Sequence, residues 1–511
     1  MQGPRQYNAV VDFVDRNVER GFGAKTAFVD FRRTLSYREL QTATCRMANL
    51  LGALQIRREA RVAMIMLDTA EFPIVFWGSL RAGVIPVCLN TLLPAEQYQY
   101  LLSDSRVEAL FVSGALLPAV APILAGLEFL RHVVVVDGDG HDHLIFEDLL
   151  EAAEPDSATA ATCADETAFW LYSSGSTGNP KGVLHVHTSP IYVAENYGKG
   201  VLGIAHDDVF FSAAKLFFAY GFGAGMAIPM SVGATTVLLS GRPTPRAVLE
   251  TMRRHNPSMF FGVPTLYAAL LADPDCRPEN GSARLRRCIS AGEALPEDIG
   301  KTWKQRMGVD ILDGIGSTEM LHVFLSNRPD DILYGSSGKE IPGYKLRLID
   351  KDGRETGVDE IGELLVSGDS SADGYWNQRE KSRANFAGEW THTGDKYTRD
   401  AEGYYHYCGR TDDMFKVSGR WVSPFEVEQA LVSHPAVLEA AVVAKQDDDG
   451  LVKPKAFVVL SGGPADDDLF ETLKEHVKSS VGPWKYPRWI EFVGDLPKTA
   501  TGKIQRFKLR E

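Results

Sequence analysis

Tyr172-Ser-Ser-Gly-Ser-Thr-Gly-Asn-Pro-Lys-Gly182 is the stretch from which the rest of this chain is read. It follows Ala168-Phe-Trp-Leu171, an apolar run that reads as a buried strand, and Val183–His187 resumes the apolar character. The glycines, Gly175 and Gly178 among them, let backbone come close to a bulky ligand. The hydroxyls of Ser173, Ser174, Ser176 and Thr177, together with clustered N–H groups, suit phosphate oxygens, and Lys181 adds a positive charge. Taken alone, the loop fits either an anion cradle or a flexible surface turn. Spacing excludes two better-known loops. A Walker A loop needs Gly-x-x-x-x-Gly-Lys, but counting from Gly175 the second glycine falls on Pro180. A Gly-x-Ser-x-Gly nucleophile elbow is absent as well.

Outward from the loop, strands and helices alternate. Ser36 and Glu39 have capping-box spacing and open a helix. Arg61–Met66 reads as a buried strand, Phe72–Gly83 as a helix ending at glycine, and Val84–Cys88 as a strand. Ala109–Val112 and His132–Asp137 are further strands, with helix Glu96–Ser103 before them. Beyond the loop the pattern repeats through strand Ala234–Leu239, helix Pro245–His255, strand Met259–Val263 and helix Thr265–Ala272. This pitch predicts an α/β fold of doubly wound layers with largely parallel sheets. Three polar loops then leave three strands, after Leu171, Ser290 and Leu312, and ligands in such folds sit beyond the carboxyl ends of strands. From about residue 335 to 409 the texture changes to short strands and turns, a β-rich part. After it a compact mixed α+β pattern resumes. The expected domains are therefore residues 1–411 and 412–511, with the boundary at Asp412.

The 511 residues exceed one ordinary core, and 44% hydrophobic with 24% charged residues is a globular composition. A net charge of -13 argues against a nucleic-acid surface. The six cysteines contain no Cys-x-x-Cys pair, which fits reduced thiols in a cytosolic enzyme. His185-x-His187 has no nearby third ligand for a metal. The N-terminus lacks an apolar signal core, so the expected location is cytoplasmic. Residues 216–241 carry no charge and are long enough to span a bilayer. Gly221, Gly223, Gly225, Pro229 and Gly233 interrupt that run, and it reads better as a buried loop, helix and strand than as a membrane span.

Together with Gly316-Ser-Thr-Glu319, Thr393-Gly-Asp395, Gly409-Arg-Thr-Asp-Asp413 and Pro497–Lys503, the loop resembles the adenylate-forming enzymes. That superfamily holds acyl- and aryl-CoA ligases, peptide-synthetase adenylation domains and luciferases. The motifs stand in family order and cover the chain from about residue 30 to its end. Ala213–Gly223, Asp313–Asn327 and the tail Leu496–Glu511 look like benzoate–CoA ligases and their hydroxybenzoate relatives. The resemblance implies a large N-terminal domain of two α/β sheets and a β-barrel-like part, with a small mobile C-terminal domain.

It also implies a reaction in two steps. An aromatic carboxylate attacks the α-phosphorus of ATP and pyrophosphate leaves; the CoA thiol then displaces AMP. On this resemblance Ser173–Lys181 hold the β- and γ-phosphates, Glu319 and Thr177 serve Mg²⁺, Asp395 accepts from the ribose hydroxyls and Arg410 contacts ribose and phosphate. Gly292-Glu293-Ala294 and Asp313-Gly314-Ile315 flank the adenine, with Gly316, Ser317 and Thr318 beside the nucleotide. Lys503 bridges the carboxylate and α-phosphate during adenylation, and Asp412 is the hinge. Lys416, Ser418 and Gly419 border the pantetheine path; Trp421 replaces an arginine common among relatives, so no nucleotide contact is assigned there. Phe218, Ala219, Tyr220, Gly221, Ile315 and His322 form a flat aryl pocket, in which either Tyr220 or His322 reads a ring substituent. Class habit adds a homodimer. Two rival readings are a carrier-protein-loading adenylation module and a non-catalytic binding protein.

Overall fold

The computed structural model of the chain describes residues 5–173, 179–417, 420–447, 450–462, 467–498 and 504–510. Two large sheets carry the N-terminal region. The first orders eight strands as Gly374–Tyr375, Lys181–Val186, Thr167–Ser173, Ile85–Cys88, Arg61–Ile65, Ala109–Ser113, His132–Val136 and Leu144–Ile145. From Thr167–Ser173 onward its neighbours are parallel. The second orders nine strands, with Ile311–Gly316, Arg287–Ser290, Met259–Gly262, Val209–Ser212, Thr235–Val237 and Thr26–Val29 as a parallel centre. Parallel strands covered on both faces bury almost every side chain, and the burial of Ala109–Ser113 and Met259–Gly262 is complete.

Local chemistry behaves as the sequence predicts. Ser36 caps helix Tyr37–Ala53 with a full capping box, its N–H donating to Glu39 at 2.7 Å. Helix Glu71–Ala82 stops at Gly83. Three phenylalanines link the elements beneath the site. Phe76 from that helix, Phe169 from strand Thr167–Ser173 and Phe222 from helix Ala219–Phe222 have ring centroids 5.0–5.3 Å apart. Such aromatic pairs add about 0.5–1.5 kcal/mol each beyond their area burial.

Two boundaries differ from the sequence reading. Tyr172, Ser173, Lys181 and Gly182 are strand residues, because Ser173 pairs with Lys181 and Tyr172 with Gly182 in an antiparallel ladder. The strands on either side of residues 174–178 are therefore antiparallel neighbours. Strand Ile311–Gly316 runs past Leu312, held by antiparallel pairing with Val323–Ser326. The barrel-like part is an antiparallel sheet, ordered Lys345–Ile349, Gly362–Ser367, Trp390–Arg399 and Phe386–Ala387, with Tyr405–Arg410 also on Trp390–Arg399. The uncharged run from 216 folds as short helical pieces Ala219–Ser231 and strand Thr235–Val237. Among the described residues no helix is long and apolar enough to cross a membrane.

The small C-terminal domain has a core of its own. Helices Pro424–Val432 and Asp467–Val481 pack on the sheet of Val437–Gln446, Val452–Leu460 and Trp489–Phe492, burying Val427, Leu431, Val442, Val458, Leu473 and Val477.

Candidate active site

A cleft of about 1270 Å³ lies where strand ends from both sheets meet the antiparallel sheet and the C-terminal domain. Of the residues singled out in the sequence, Ser173, Lys181, Gly292, Glu293, Ala294, Gly314 through Glu319, Asp395, Arg410 and Phe218 all line it. Residues separated by more than 200 positions thus converge on one volume. Ser174, Gly175, Ser176, Thr177, Gly178, Ser418, Gly419 and Lys503 lie outside the described residues.

Glu319 organises one end. Its Oε1 accepts hydrogen bonds from the Tyr375 hydroxyl at 2.9 Å and the Ser173 hydroxyl at 3.2 Å, and its main-chain carbonyl accepts from Ala372 N–H at 2.8 Å. Lys181 Nζ stands 4.1 Å from the centre of the Tyr375 ring. Burial pushes the Lys181 ammonium below the ordinary lysine range while Glu319 pulls it back up. Burial, then the Glu319 carboxylate, pushes the Tyr375 phenol well above its usual value. Gly316 is required by contact: a Cβ there would meet the His322 carbonyl oxygen at 2.4 Å.

The other polar centre sits on the antiparallel sheet. Asp395 and Arg410 are cross-strand partners, joined Oδ1 to Nη1 at 3.0 Å, and the same Nη1 donates to the Thr393 carbonyl at 2.9 Å. Asp395 holds the guanidinium firmly protonated, more than offsetting its burial. A buried carboxylate paired with a half-exposed guanidinium presents both an acceptor and a donor fork to the cleft.

Several predicted contacts are not at the cleft surface. Asp313 is turned inward, with Oδ2 accepting from Leu295 N–H at 3.3 Å. Burial raises its carboxyl to about 8, against the pull of Leu295 N–H and the Ser290 hydroxyl, so it holds a proton at neutral pH. The continued strand places it in the core, and its side chain does not flank the cleft. Tyr220, Gly221, Ala219 and His322 lie beneath the lining. The Tyr220 hydroxyl donates toward the Gly262 and Ile289 carbonyls at 3.1 and 3.2 Å. His322 Nε2 lies 3.2 Å from the Tyr220 carbonyl, which fixes the proton on Nε2. Burial lowers that imidazole to about 3, so it is neutral, and its buried Nδ1 finds no hydrogen-bond partner among the described residues. Lys416 lies in hairpin strand Phe415–Val417 and does not line the cleft; the tail Ile504–Lys508 does.

The sequence reading missed Tyr375. It occupies a two-residue strand, Gly374–Tyr375, paired with Val183 and Leu184 of strand Lys181–Val186. Trp376 N–H donates to the Gly182 carbonyl at 2.8 Å, and its indole donates to the Asp104 carbonyl at 2.9 Å. Two residues show no periodicity, so no local pattern could have marked this strand.

Two α/β sheets that deliver loops to one cleft, closed by a small α+β domain, define the architecture of adenylate-forming enzymes. Residues 14–376 match the profile of the AMP-binding enzyme family, and residues 426–503 match that of the AMP-binding enzyme C-terminal domain. The chain belongs to that family. It is 57% identical over 509 residues to a 4-hydroxybenzoate–CoA/benzoate–CoA ligase of Rhodopseudomonas palustris, covering 99% of this chain and 94% of that protein. It is 55% identical to a benzoate–CoA ligase of Thauera aromatica, covering 99% and 96%. The solved structure of a benzoate CoA ligase from Burkholderia xenovorans LB400 matches with a TM-score of 0.92 at 47% identity, over 99% of this chain and 100% of that one. An anthranilate CoA ligase in complex with anthranoyl-AMP matches with a TM-score of 0.95 at 42% identity, over 100% and 98%.

Proposed function

We propose that this chain is an AMP-forming aryl–CoA ligase acting on benzoate or a close derivative. The observation that carries the reading is one cleft that gathers the Glu319–Ser173–Tyr375–Lys181 group, the Asp395–Arg410 pair and the apolar Phe218 and Ile315. Its end-to-end similarity to aryl–CoA ligases supports the substrate class. A carboxylate oxygen of the acid attacks the α-phosphorus of ATP, and the bond to pyrophosphate breaks. The CoA sulfur then attacks the acyl carbon, and AMP leaves.

Each group has a task in that sequence. Lys181 and the stretch Ser173–Gly178 neutralise the departing pyrophosphate. Asp395 accepts from the ribose hydroxyls, and Arg410 donates to the sugar and phosphate. Gly292–Ala294 and Gly314–Thr318 border the base and α-phosphate. Glu319, with its carboxylate already oriented by two hydroxyls, would hold a hard cation such as Mg²⁺ together with Thr177. Such an ion would supply charge neutralisation at the phosphates. Lys503 bridges the carboxylate and α-phosphate. Asp412, between strands Tyr405–Arg410 and Phe415–Val417, is the hinge that exchanges the tail face for the face carrying Lys416, Ser418 and Gly419 along the CoA path.

A hydroxybenzoate is the second reading, and one observation favours it. The Tyr220 proton is committed to main-chain carbonyls, whereas His322 retains an unpartnered acceptor in Nδ1. His322 is 2% exposed and does not line the cleft, so a phenolic hydroxyl donates to that nitrogen only if the acyl pocket opens inward when the acid binds. A panel of benzoate, hydroxy-, amino- and halobenzoates, scored for AMP formation with and without CoA, tests both readings. CoA-dependent thioester from benzoate is expected. Pyrophosphate exchange with no thioester would point instead to a carrier-loading module, and no exchange at all to a binding protein.

A further inference from the structure

The segment that carries the aryl pocket is fastened at its base by an ion pair between half-buried Lys215 and buried Asp68, to which the chemistry gives no role. Lys215 directly precedes it. Its ammonium donates to the Gly241 carbonyl at 2.7 Å, the Ser240 carbonyl at 3.3 Å and the Leu239 carbonyl, all just beyond strand Thr235–Val237 of the nine-stranded sheet. Asp68 stands beyond strand Arg61–Ile65 of the other sheet and is 4% exposed. Its Oδ1 accepts from Leu216 N–H at 3.2 Å, and its Oδ2 is 4.0 Å from Lys215 Nζ. Both large sheets therefore grip residues 215 and 216.

The grip is transmitted through the backbone. The Lys215 carbonyl accepts from Phe218 N–H at 3.0 Å. Gly221 lies so close that a Cβ there would sit 2.0 Å from the same carbonyl oxygen. Lys215 cannot shift without carrying Phe218 and Gly221 with it. Because cores and packed turns are bistable rather than continuously deformable, loss of the grip re-seats the whole segment.

We propose that Lys215 and Asp68 are positioning residues for the aromatic acid, holding Phe218–Gly221 in place while contributing nothing to the ATP subsite. The proposal rests on the reading of that segment as the acyl pocket. Methionine at 215 keeps the length of the stem but removes the donors and leaves Asp68 without its counter-ion. Asparagine at 68 keeps an acceptor for Leu216 N–H and loses only the charge.

The test uses the full chain with pyrophosphate release as readout, measuring KM for benzoate and for ATP separately. Lys215→Met is expected to raise the benzoate KM about tenfold with the ATP KM within about twofold, the signature of lost ground-state binding of one substrate. Asp68→Asn, the milder change, is expected to raise the benzoate KM about threefold. Phe218→Ala is measured alongside. An unchanged benzoate KM in Phe218→Ala overturns the reading of the pocket itself. A rise in Phe218→Ala with none in Lys215→Met, or equal rises in both KM values for Lys215→Met, overturns the clamp alone. If Lys215→Met does not fold, Asp68→Asn decides, and an unchanged benzoate KM there overturns the proposal.

Discussion

On the nucleotide side of the cleft, Glu319, Lys181 and Arg410 are half-buried charged groups held by one or two side-chain contacts each. On the acyl side, the Tyr220 hydroxyl donates to the Gly262 and Ile289 carbonyls and His322 donates to the Tyr220 carbonyl. The contrast follows from what each side must do. A polyphosphate changes charge and leaves during the reaction, so its partners must be accessible and exchangeable. A flat ring is recognised by shape, so its pocket is set by groups that cannot move. Changes on the nucleotide side should therefore cost rate or ATP affinity, and changes on the acyl side should alter the binding of the acid or the stability of the fold.

The largest effect is expected at Lys503. Lys503→Ala should lower benzoate-dependent pyrophosphate release about a thousandfold while a supplied benzoyl-adenylate still reacts with CoA at close to the normal rate. Equal loss in both half-reactions would break the assignment. Glu319→Gln should lower the adenylation kcat about a hundredfold and shift the Mg²⁺ dependence upward; an unaltered Mg²⁺ titration would remove Glu319 from the metal's surroundings. Asp395→Asn is expected to raise the ATP KM about 10- to 100-fold, the worth of a hydrogen bond to a charged group, with the benzoate KM little changed. Calorimetry of ATP binding checks it.

The acyl side yields the smallest effects. Tyr220→Phe should destabilise the fold by about 1 kcal/mol and leave the ATP KM unchanged, since the hydroxyl serves the backbone. Asp313 gives a pH signature. Its folded-state carboxyl is raised to about 8, so the stability tied to its proton is fully present below the ordinary carboxylate range and is lost as pH rises through about 8. The wild type should therefore lose stability relative to Asp313→Asn as pH is raised over that range in denaturant titrations. Parallel curves would contradict a buried neutral acid.

What could be read from the sequence divides along the same line. Gly, Ser and charged residues clustered at strand ends marked Ser173, Lys181 and the loop that leads to Glu319, because phosphate chemistry needs those types together in short stretches; Asp395 and the role of Glu319 came only from the resemblance to adenylate-forming enzymes. Periodicity marked the strands and helices, down to the Ser36–Glu39 cap. It failed at Ile311–Gly316, where antiparallel pairing extends a strand through polar residues and draws Asp313 inside. Tyr375 was invisible because its role comes from pairing with Val183 across nearly 200 residues of chain. Nothing in the sequence joins Lys215 to Asp68, which stand 147 positions apart along the chain; only the fold sets them 4.0 Å apart.

The most direct measurement is the product balance of the complete reaction with ATP, Mg²⁺, benzoate and CoA, run beside the same mixture without CoA. The account predicts benzoyl-CoA, AMP and pyrophosphate in equal amounts with CoA, and benzoate-dependent exchange of labelled pyrophosphate into ATP without it. ADP and phosphate as products, or exchange that never leads to a thioester, would contradict it.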